Sequence, residues 1–226
     1  MATRRSPWHH RPDMLRAALL PLILVLSALQ GSGAPVVVST SPGDSGSFEV
    51  VLSTDKDQPD WEKLEFKEGS LPKIWIRQKS TGKILSEVDY PGDANSDPQP
   101  LKGKLRVHWS PSNTRVAIEA SQKGTYLLVF DLKGSLEEPS GFQQISFPAI
   151  PMSSLVPKYK EPQTLGYHDF EAWQGDNLIV THFGGVARTE PRGDAATYVF
   201  AYSVTHDLTC PEAPVIKRLE QIERDH

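Results

Sequence analysis

The residues 43–46, Gly-Asp-Ser-Gly, have the types that surround a nucleophilic serine in some hydrolases. An activated serine needs a histidine base and an acid that orients the histidine. In one known chain order both partners precede the serine, and Ser45 lies too near the start of the chain for that order. In another order the partners follow as Asp-x-x-His near the end, and no Asp-x-x-His occurs in this sequence. We therefore interpret 43–46 as a flexible loop.

Two acidic segments resemble the start of a calcium-binding loop. Residues 93–97, Asp-Ala-Asn-Ser-Asp, have the ligand spacing of such a loop, but its sixth position holds Pro98 instead of glycine and its twelfth holds Lys104 instead of glutamate. A looser oxygen-rich site is the alternative at 93–97, and a solvated turn is the simpler interpretation. The aspartates within 55–60 receive the same interpretation, so we expect no metal.

The histidines and tryptophans of the chain are scattered. No two histidines have the His-x-His or His-x-x-x-His spacing that places two metal ligands on one face. In Tyr167-His168-Asp169 the acid could orient the imidazole, but a hydrogen-bonded loop histidine is the simpler expectation there. His108, His182 and His206 are scattered along the chain as well. Tryptophans at 61, 75, 109 and 173 could stack on carbohydrate, but at strand positions they favour the core. The sequence predicts no catalytic, cofactor-binding or metal-binding residue.

The first 34 residues have the layout of a secretory signal peptide. A basic start with four arginines precedes an apolar run at 17–29 and the small residues 31–34. The apolar run is short of the ~20 residues that a membrane-spanning helix needs, which favours a cleaved signal over a permanent anchor. Residues 6–10 are too polar for a twin-arginine signal. We expect cleavage after Gly33 and a periplasmic or extracellular protein without a stable membrane anchor.

Charge and cysteine content narrow the possible partners. The first 34 residues hold four of the 24 basic and one of the 28 acidic residues, so the remainder carries a formal charge of −7. Nucleic acids and anionic membranes demand clustered lysine and arginine, and no such cluster is present. Cys210 is the only cysteine, which excludes an internal disulfide.

Residues 35–226 are expected to form a single β-rich domain. Short apolar runs with alternation, bounded by turn residues, predict strands. They lie at 48–53, 73–77, 84–88, 105–109, 116–119, 126–130, 142–147, 169–173, 177–182 and 197–203. Gly82 is expected to take the left-handed conformation of a tight hairpin turn.

Three segments lack this pattern. Residues 89–103 and 148–168 are broken by prolines and predict long loops, which in a compact domain are functional or poorly ordered. In the tail, 213–224, Ile216, Leu219 and Ile222 recur every three residues after Pro214, which favours a helix. A final strand from 215 to 219 is the alternative.

The sequence from 105 to 132 contains Trp109-Ser110-Pro111-Ser112, then Val116-Ala117, then Val-Phe-Asp-Leu at 129–132. This pattern resembles one blade of a β-propeller of the TolB or WD-repeat type, with serine for the usual aspartate after the proline. Weaker similarities at 74–85 and 170–202 suggest a preceding and a following blade. The resemblance implies antiparallel blades with Trp109 in a core formed with Val116, Ile118, Leu128 and Phe130.

About three blades fit the chain, whereas a closed propeller needs at least four. We therefore expect an all-β fold of antiparallel sheets with incomplete or irregular propeller-like blades, and a β-sandwich or barrel as the alternative. The function expected is non-enzymatic binding of a protein or a cell-surface polymer through the loops 89–103 and 148–168. A hydrolase with dispersed active-site residues and a self-assembling structural subunit are the alternatives. The ligand and the oligomeric state are not determined by the sequence.

Overall fold

Antiparallel strands make up the regular structure of this chain in a computed structural model. The structure describes residues 34–43, 47–53, 65–66, 73–89, 99–100, 105–121, 125–151, 167–188 and 197–222. Within these ranges there are fourteen strands and no helix. The strands are β1 (Val36–Thr40), β2 (Phe48–Ser53), β3 (Glu65–Phe66), β4 (Lys73–Gln78), β5 (Ile84–Val88), β6 (Gln99–Pro100), β7 (Leu105–Trp109), β8 (Arg115–Ser121), β9 (Thr125–Gly134), β10 (Pro139–Ile145), β11 (Tyr167–Gln174), β12 (Leu178–Arg188), β13 (Thr197–Asp207) and β14 (Val215–Gln221).

The strands form three four-stranded sheets whose strands follow one another in chain order. Sheet 1 has the order β1-β2-β4-β5, sheet 2 the order β7-β8-β9-β10, and sheet 3 the order β11-β12-β13-β14. The short strands β3 and β6 pair with each other in a fourth, two-stranded sheet. Every strand pair is antiparallel. The expected all-β class with antiparallel sheets is confirmed, and all of these strands belong to one unit, Gly33–His226.

The predicted strands have counterparts in the structure, with several changed ends. Strand β10 ends at Ile145, before the predicted end at 147. The predicted loops are also shorter than expected, because β6 lies within 89–103 and β11 begins inside 148–168. Gly82 has a φ of 69°, which confirms its predicted left-handed conformation.

The expected helix in the tail is wrong, because residues Val215–Gln221 form an edge strand of sheet 3. Its pairing with β13 contains a bulge, since Thr205 lies opposite Arg218 and His206 lies opposite Ile216. The extra residue, Lys217, shifts the alternation by one position. Ile216 and Leu219, three residues apart, consequently pack against the same buried cluster. The three-residue period that imitates a helix is the result of this bulge.

Sheet 2 lies between the other two sheets and is covered on both faces. Strand β8 divides its side chains between them by simple alternation. Val116, Ile118 and Ala120 pack in a core with sheet 1, which we call the first interface, whereas Ala117 packs with sheet 3 in the second interface. The first interface also contains Phe48, Val50, Leu52, Ile74, Ile76, Leu85, Val88, Leu105, Phe130, Leu132 and Phe142. The second also contains Leu127, Val129, Ile145, Ile179 and Leu208.

Trp109 packs against the first interface, as the blade-like pattern predicts. It is partly buried, and its ring lies 6.3 Å from those of both Phe48 and Phe142. Leu128 is also partly buried against this core, and Val116, Ile118 and Phe130 belong to it. The expected neighbours are therefore confirmed, while Trp109 itself is less buried than expected.

A serine turn is repeated in sheets 1 and 2. The N–H of Ser41 donates to the carbonyl of Phe48 at 2.9 Å, and the N–H of Phe48 donates back to Ser41 Oγ at 3.1 Å. Ser110 and Arg115 make the same two bonds at 2.9 and 3.1 Å. Both serines follow the first strand of their sheet and precede a proline. The two turns share these two hydrogen bonds, although only the serine in sheet 2 follows a tryptophan.

A tryptophan joins the first strand of one sheet to that of the sheet before it. Trp109, at the end of β7, donates its indole N–H to Ser39 Oγ of β1 at 3.1 Å. Trp173, near the end of β11, donates to the carbonyl of His108 in β7 at 3.1 Å. Ser39 and His108 each lie two residues before the repeated turn serine. The three sheets thus follow one another with a repeated contact geometry.

Candidate functional site

A buried carboxylate lies in the second interface, on the face of β8 that meets sheet 3. Glu119 has only 1% of its side chain exposed. Its Oε2 contacts His108 Nε2 at 2.8 Å and Arg106 Nε at 3.0 Å. Its Oε1 accepts the backbone N–H of Phe170 at 2.7 Å. Both oxygens are therefore occupied, and the Phe170 bond ties sheet 2 directly to sheet 3.

The environment keeps Glu119 ionised. Burial alone raises the pKa of a carboxyl group, but the bonds from His108 and from the Phe170 N–H, together with the charge of Arg106, outweigh it and hold the pKa of Glu119 below its ordinary value. The ring of His108 also stacks on Phe170, with 4.0 Å between ring centroids. The carboxylate therefore holds the imidazole in one orientation at a half-exposed position.

Arg115, at the start of β8, forms a second buried group in the same interface. Its Nε donates to Asp131 Oδ1 at 2.9 Å within sheet 2. Its terminal nitrogens reach sheet 3, where they donate to the carbonyls of Asp176 and Leu208 and to Asn177 Oδ1. A guanidinium group presents five donors in a rigid fork, which suits this convergence of acceptors. Arg115 thus clamps the turn between β11 and β12 onto sheet 2.

Two histidines that lie far apart in the sequence meet on the inner face of sheet 3. His168 Nε2 lies 2.7 Å from Thr181 Oγ1, and His206 Nε2 lies 3.4 Å from the same oxygen. His206 is fully buried, and its Nδ1 has no hydrogen-bond partner among the described residues. Burial lowers the pKa of both imidazoles; neighbouring His168 lowers that of His206 further, to about 4.

An acid, a histidine and a serine are grouped on the opposite, exposed face of sheet 3. Glu171 Oε2 contacts His182 Nε2 at 2.8 Å and accepts from Ser203 Oγ at 3.2 Å. A serine nucleophile must instead be bonded to the histidine that removes its proton. Here the carboxylate separates the two groups, so the cluster lacks the geometry of a catalytic triad.

A further charged group surrounds a shallow polar depression of sheet 2. Lys133 Nζ lies 3.4 Å from Asp131 Oδ2 and 2.8 Å from Glu212 Oε1. These contacts, led by the hydrogen bond to Glu212, raise the pKa of Lys133. The ammonium group occupies the position between the two carboxylates that a cation would take. In the part of the chain that the structure describes, no group of three or more metal-ligating side chains is found.

Some of the remaining candidate site residues from the sequence lie among the described residues, and others lie outside them. Gly43 is described, whereas residues 44–46, the calcium-like segment 93–97, the aspartates of 55–60 and Trp61 lie outside the described residues. Trp75 donates its indole N–H to Glu87 at 3.4 Å on an exposed face. Cys210 is exposed.

Sequence reasoning missed the roles of Arg115 and Glu119. The sequence signal that could have identified them is a pair of charged residues that flank Val116-Ala117-Ile118 in a strand that is apolar on both faces. A central strand accommodates a charge only when a partner is present.

No family model, curated protein or solved structure matches this chain. Among the described residues, no helix has the length and hydropathy that crossing a membrane requires.

Proposed function

We propose that this protein is an exported, non-enzymatic scaffold that binds another protein or a cell-surface polymer. The observation that carries the proposal is that the buried charged side chains are occupied by contacts within the protein. Glu119 and Arg115 both face sheet 3, where each is paired with a charged group of sheet 2 and also bonded to a backbone group of the sheet 3 side. Groups used in this way give a rigid frame for the connections at 89–103 and 148–168, which are the proposed contact elements.

The three consecutive four-stranded sheets and the repeated tryptophan contact support the propeller-like interpretation. Propeller-like sheets commonly serve as frames that carry variable loops. These observations support the propeller-like architecture only. The proposed binding role rests on the buried charged side chains described above.

The hydrolase alternative has one observation in its favour, the Glu171, His182 and Ser203 group. Its order of contacts, with the acid between histidine and serine, argues against acyl transfer. The self-assembly alternative would use edge strand β14. The bulge at Lys217 and the exposed charges of Arg218 and Glu220 are features that blunt edge-to-edge pairing.

The test compares loop variants with a matched control. Residues 90–98, a range that leaves β6 intact, or 152–166 of the mature chain are replaced by glycine-serine segments of equal length, and the control exchanges the exposed hairpin turn at 79–83 in the same way. Binding is measured against proteins of the host's exported fraction and against purified cell-surface polysaccharides. We expect a partner that wild type and the turn control retain and that at least one loop variant loses, with unchanged unfolding midpoints.

Equal retention by all variants would contradict the proposed contact elements. Turnover of an ester, peptide or glycoside substrate that His182→Asn abolishes would support the hydrolase instead. N-terminal sequencing tests export separately: secreted material should begin near Ala34 or Pro35, and an intact chain in a membrane fraction would contradict a cleaved signal.

A further inference from the structure

We propose that His168, Thr181 and His206 form an acid-operated latch that holds the segment after β10 on sheet 3 at neutral pH. The segment, residues 146–151, brings Phe147 onto the two histidines. The Phe147 ring lies 4.3 Å from that of His206 and 5.6 Å from that of His168. Ile150 of the same segment packs against the cluster of Phe200, Tyr202 and Val204. The latch stands on these contacts and does not depend on which molecule the protein binds.

The group leaves no imidazole N–H without an acceptor only when the imidazoles are neutral and His206 carries its proton on Nε2. Thr181 Oγ1 has one proton and two lone pairs, and it is shared by His168 Nε2, His206 Nε2 and the carbonyl of Val204, the last at 3.5 Å. A protonated His206 carries a hydrogen on both ring nitrogens. Its Nδ1–H would then be a buried donor without an acceptor, and its charge would be buried under Phe147. Protonation therefore favours a state in which the Phe147 segment has lifted and His206 meets water.

The charged groups around the latch do not offset the free-energy cost of protonating buried His206. Along their own strands the neighbours are Asp169 and Asp207, of which Asp169 raises the pKa of His168 but not enough to cancel burial. From sheet 2, Glu119 binds the N–H of Phe170 and is saturated by its own partners.

The other packed elements are neutral where they meet the histidines. Strand β12 contributes Thr181, β14 places Ile216 opposite His206, with Lys217 next along the strand, and the segment contributes Phe147. No element therefore supplies a carboxylate bonded to His206 among the described contacts.

The sign of the pH effect follows from the two states. The closed state holds the pKa of His206 at about 4, whereas the exposed imidazole has the ordinary value of 6.5. Above pH 6.5 both states are neutral and the latch stays closed. Between pH 6.5 and 4 only the open state takes up the proton, so opening becomes more favourable as the pH falls. The opening equilibrium should rise on the order of 30-fold between pH 7.5 and pH 5.

The experiment measures the accessibility of residue 150 by thiol labelling of the mature Ile150→Cys variant with an aromatic disulfide that reacts at acid pH. Native Cys210 is exposed and provides the reference rate at every pH. We expect the labelling rate of the introduced thiol relative to Cys210 to rise on the order of 30-fold from pH 7.5 to pH 5. Adding His206→Leu should flatten this rise. Adding His182→Leu, a histidine on the exposed face of the same sheet, should leave the rise intact.

A relative rate that does not change with pH, or a rise that survives His206→Leu, would overturn the latch. Should His206→Leu fail to fold, the proton resonances of the wild-type histidine rings decide the question. A ring of His206 that titrates near its ordinary pKa in the folded protein would refute the proposal, whereas a ring that stays neutral to about pH 5 while the labelling rate rises would support it.

Discussion

The two interfaces of sheet 2 are built by alternate residues of one strand, yet they differ in chemistry. Toward sheet 1, β8 presents Val116, Ile118 and Ala120 to an apolar core in which Phe48 and Phe142 pack edge to face. Toward sheet 3, it presents Arg115 and Glu119, which pair with charged groups of sheet 2 and also bond to backbone groups across the interface. One strand thus buries apolar side chains on one face and charged side chains on the other.

The difference indicates a division of roles. Apolar burial is non-directional and stabilises any arrangement that removes enough surface from water. A buried charge contributes little net stability, but it becomes very unfavourable when its partners are displaced. We infer that the first interface supplies most of the stability and that the second fixes the alignment of sheet 3.

The largest expected effect is the loss of the clamp at the second interface. Arg115→Met should reduce the free energy of unfolding by about 3–5 kcal/mol, because Asp131 and the carbonyl of Leu208 lose a buried partner. Urea unfolding at pH 7 measures the change. The control Arg106→Met removes a side chain that is 54% exposed, and it should cost less than about 1 kcal/mol. Similar losses of unfolding free energy in both variants would contradict the larger contribution expected of the buried arginine.

The next effect belongs to the first interface. Trp109→Ala should cost about 3 kcal/mol, at the low end for a large aromatic residue because Trp109 is only partly buried. Trp109→Phe keeps ring packing but loses the bond to Ser39, and it should cost about 1 kcal/mol. Thermal unfolding tests both variants. An unchanged midpoint for the alanine variant would instead make Trp109 a ligand-stacking residue.

A smaller, pH-dependent effect is expected at Glu119. Glu119→Gln removes the charge that accepts bonds from His108, Arg106 and the Phe170 N–H, and should cost about 1.5–3 kcal/mol at pH 7. Because the folded pKa lies below the ordinary 4.5, the wild-type contribution is present above pH 4.5 and is lost as the pH falls below it.

Unfolding between pH 7 and pH 3 separates this effect from the histidine latch, which acts between pH 6.5 and 4. Glu171→Gln, on the exposed face of sheet 3, is the matched control and should be nearly neutral at pH 7. A Glu119 variant that loses stability with acid as wild type does would contradict the assignment.

The smallest expected loss of stability is at the turn that contains Asn113. Asn113 has a φ of 62° and donates its side-chain amide to the carbonyl of Pro42, in the turn after β1, at 2.8 Å. Asn113→Gly keeps this backbone conformation without strain and loses one neutral hydrogen bond, so it should cost about 1 kcal/mol. Asn113→Ala adds the strain of a left-handed alanine and should cost more. Equal unfolding midpoints for the two variants would show that φ is not restrictive here.

Much of the fold could be predicted, and the candidate site could not. The hairpin with Gly82 and the strand that ends at Trp109 follow from local alternation and turn residues. The pairing of His168 with His206 requires the register of three strands, which spacing along the chain does not reveal. The tail was mispredicted because the bulge at Lys217 gives a strand the period of a helix.

The sequence by itself determined that this chain folds into antiparallel strands with short turns, because alternation and chain-breaking residues act within a few positions. Tertiary structure decided what the charges of β8 do. Alternation places Arg115 and Glu119 on one face, where Asp131, Arg106 and His108 of sheet 2 pair with them, but only the stacking of sheet 3 on that face buries them and supplies the remaining backbone bonds. Strand propensity is a local property, whereas the sheet that covers a buried charge comes from a distant part of the chain.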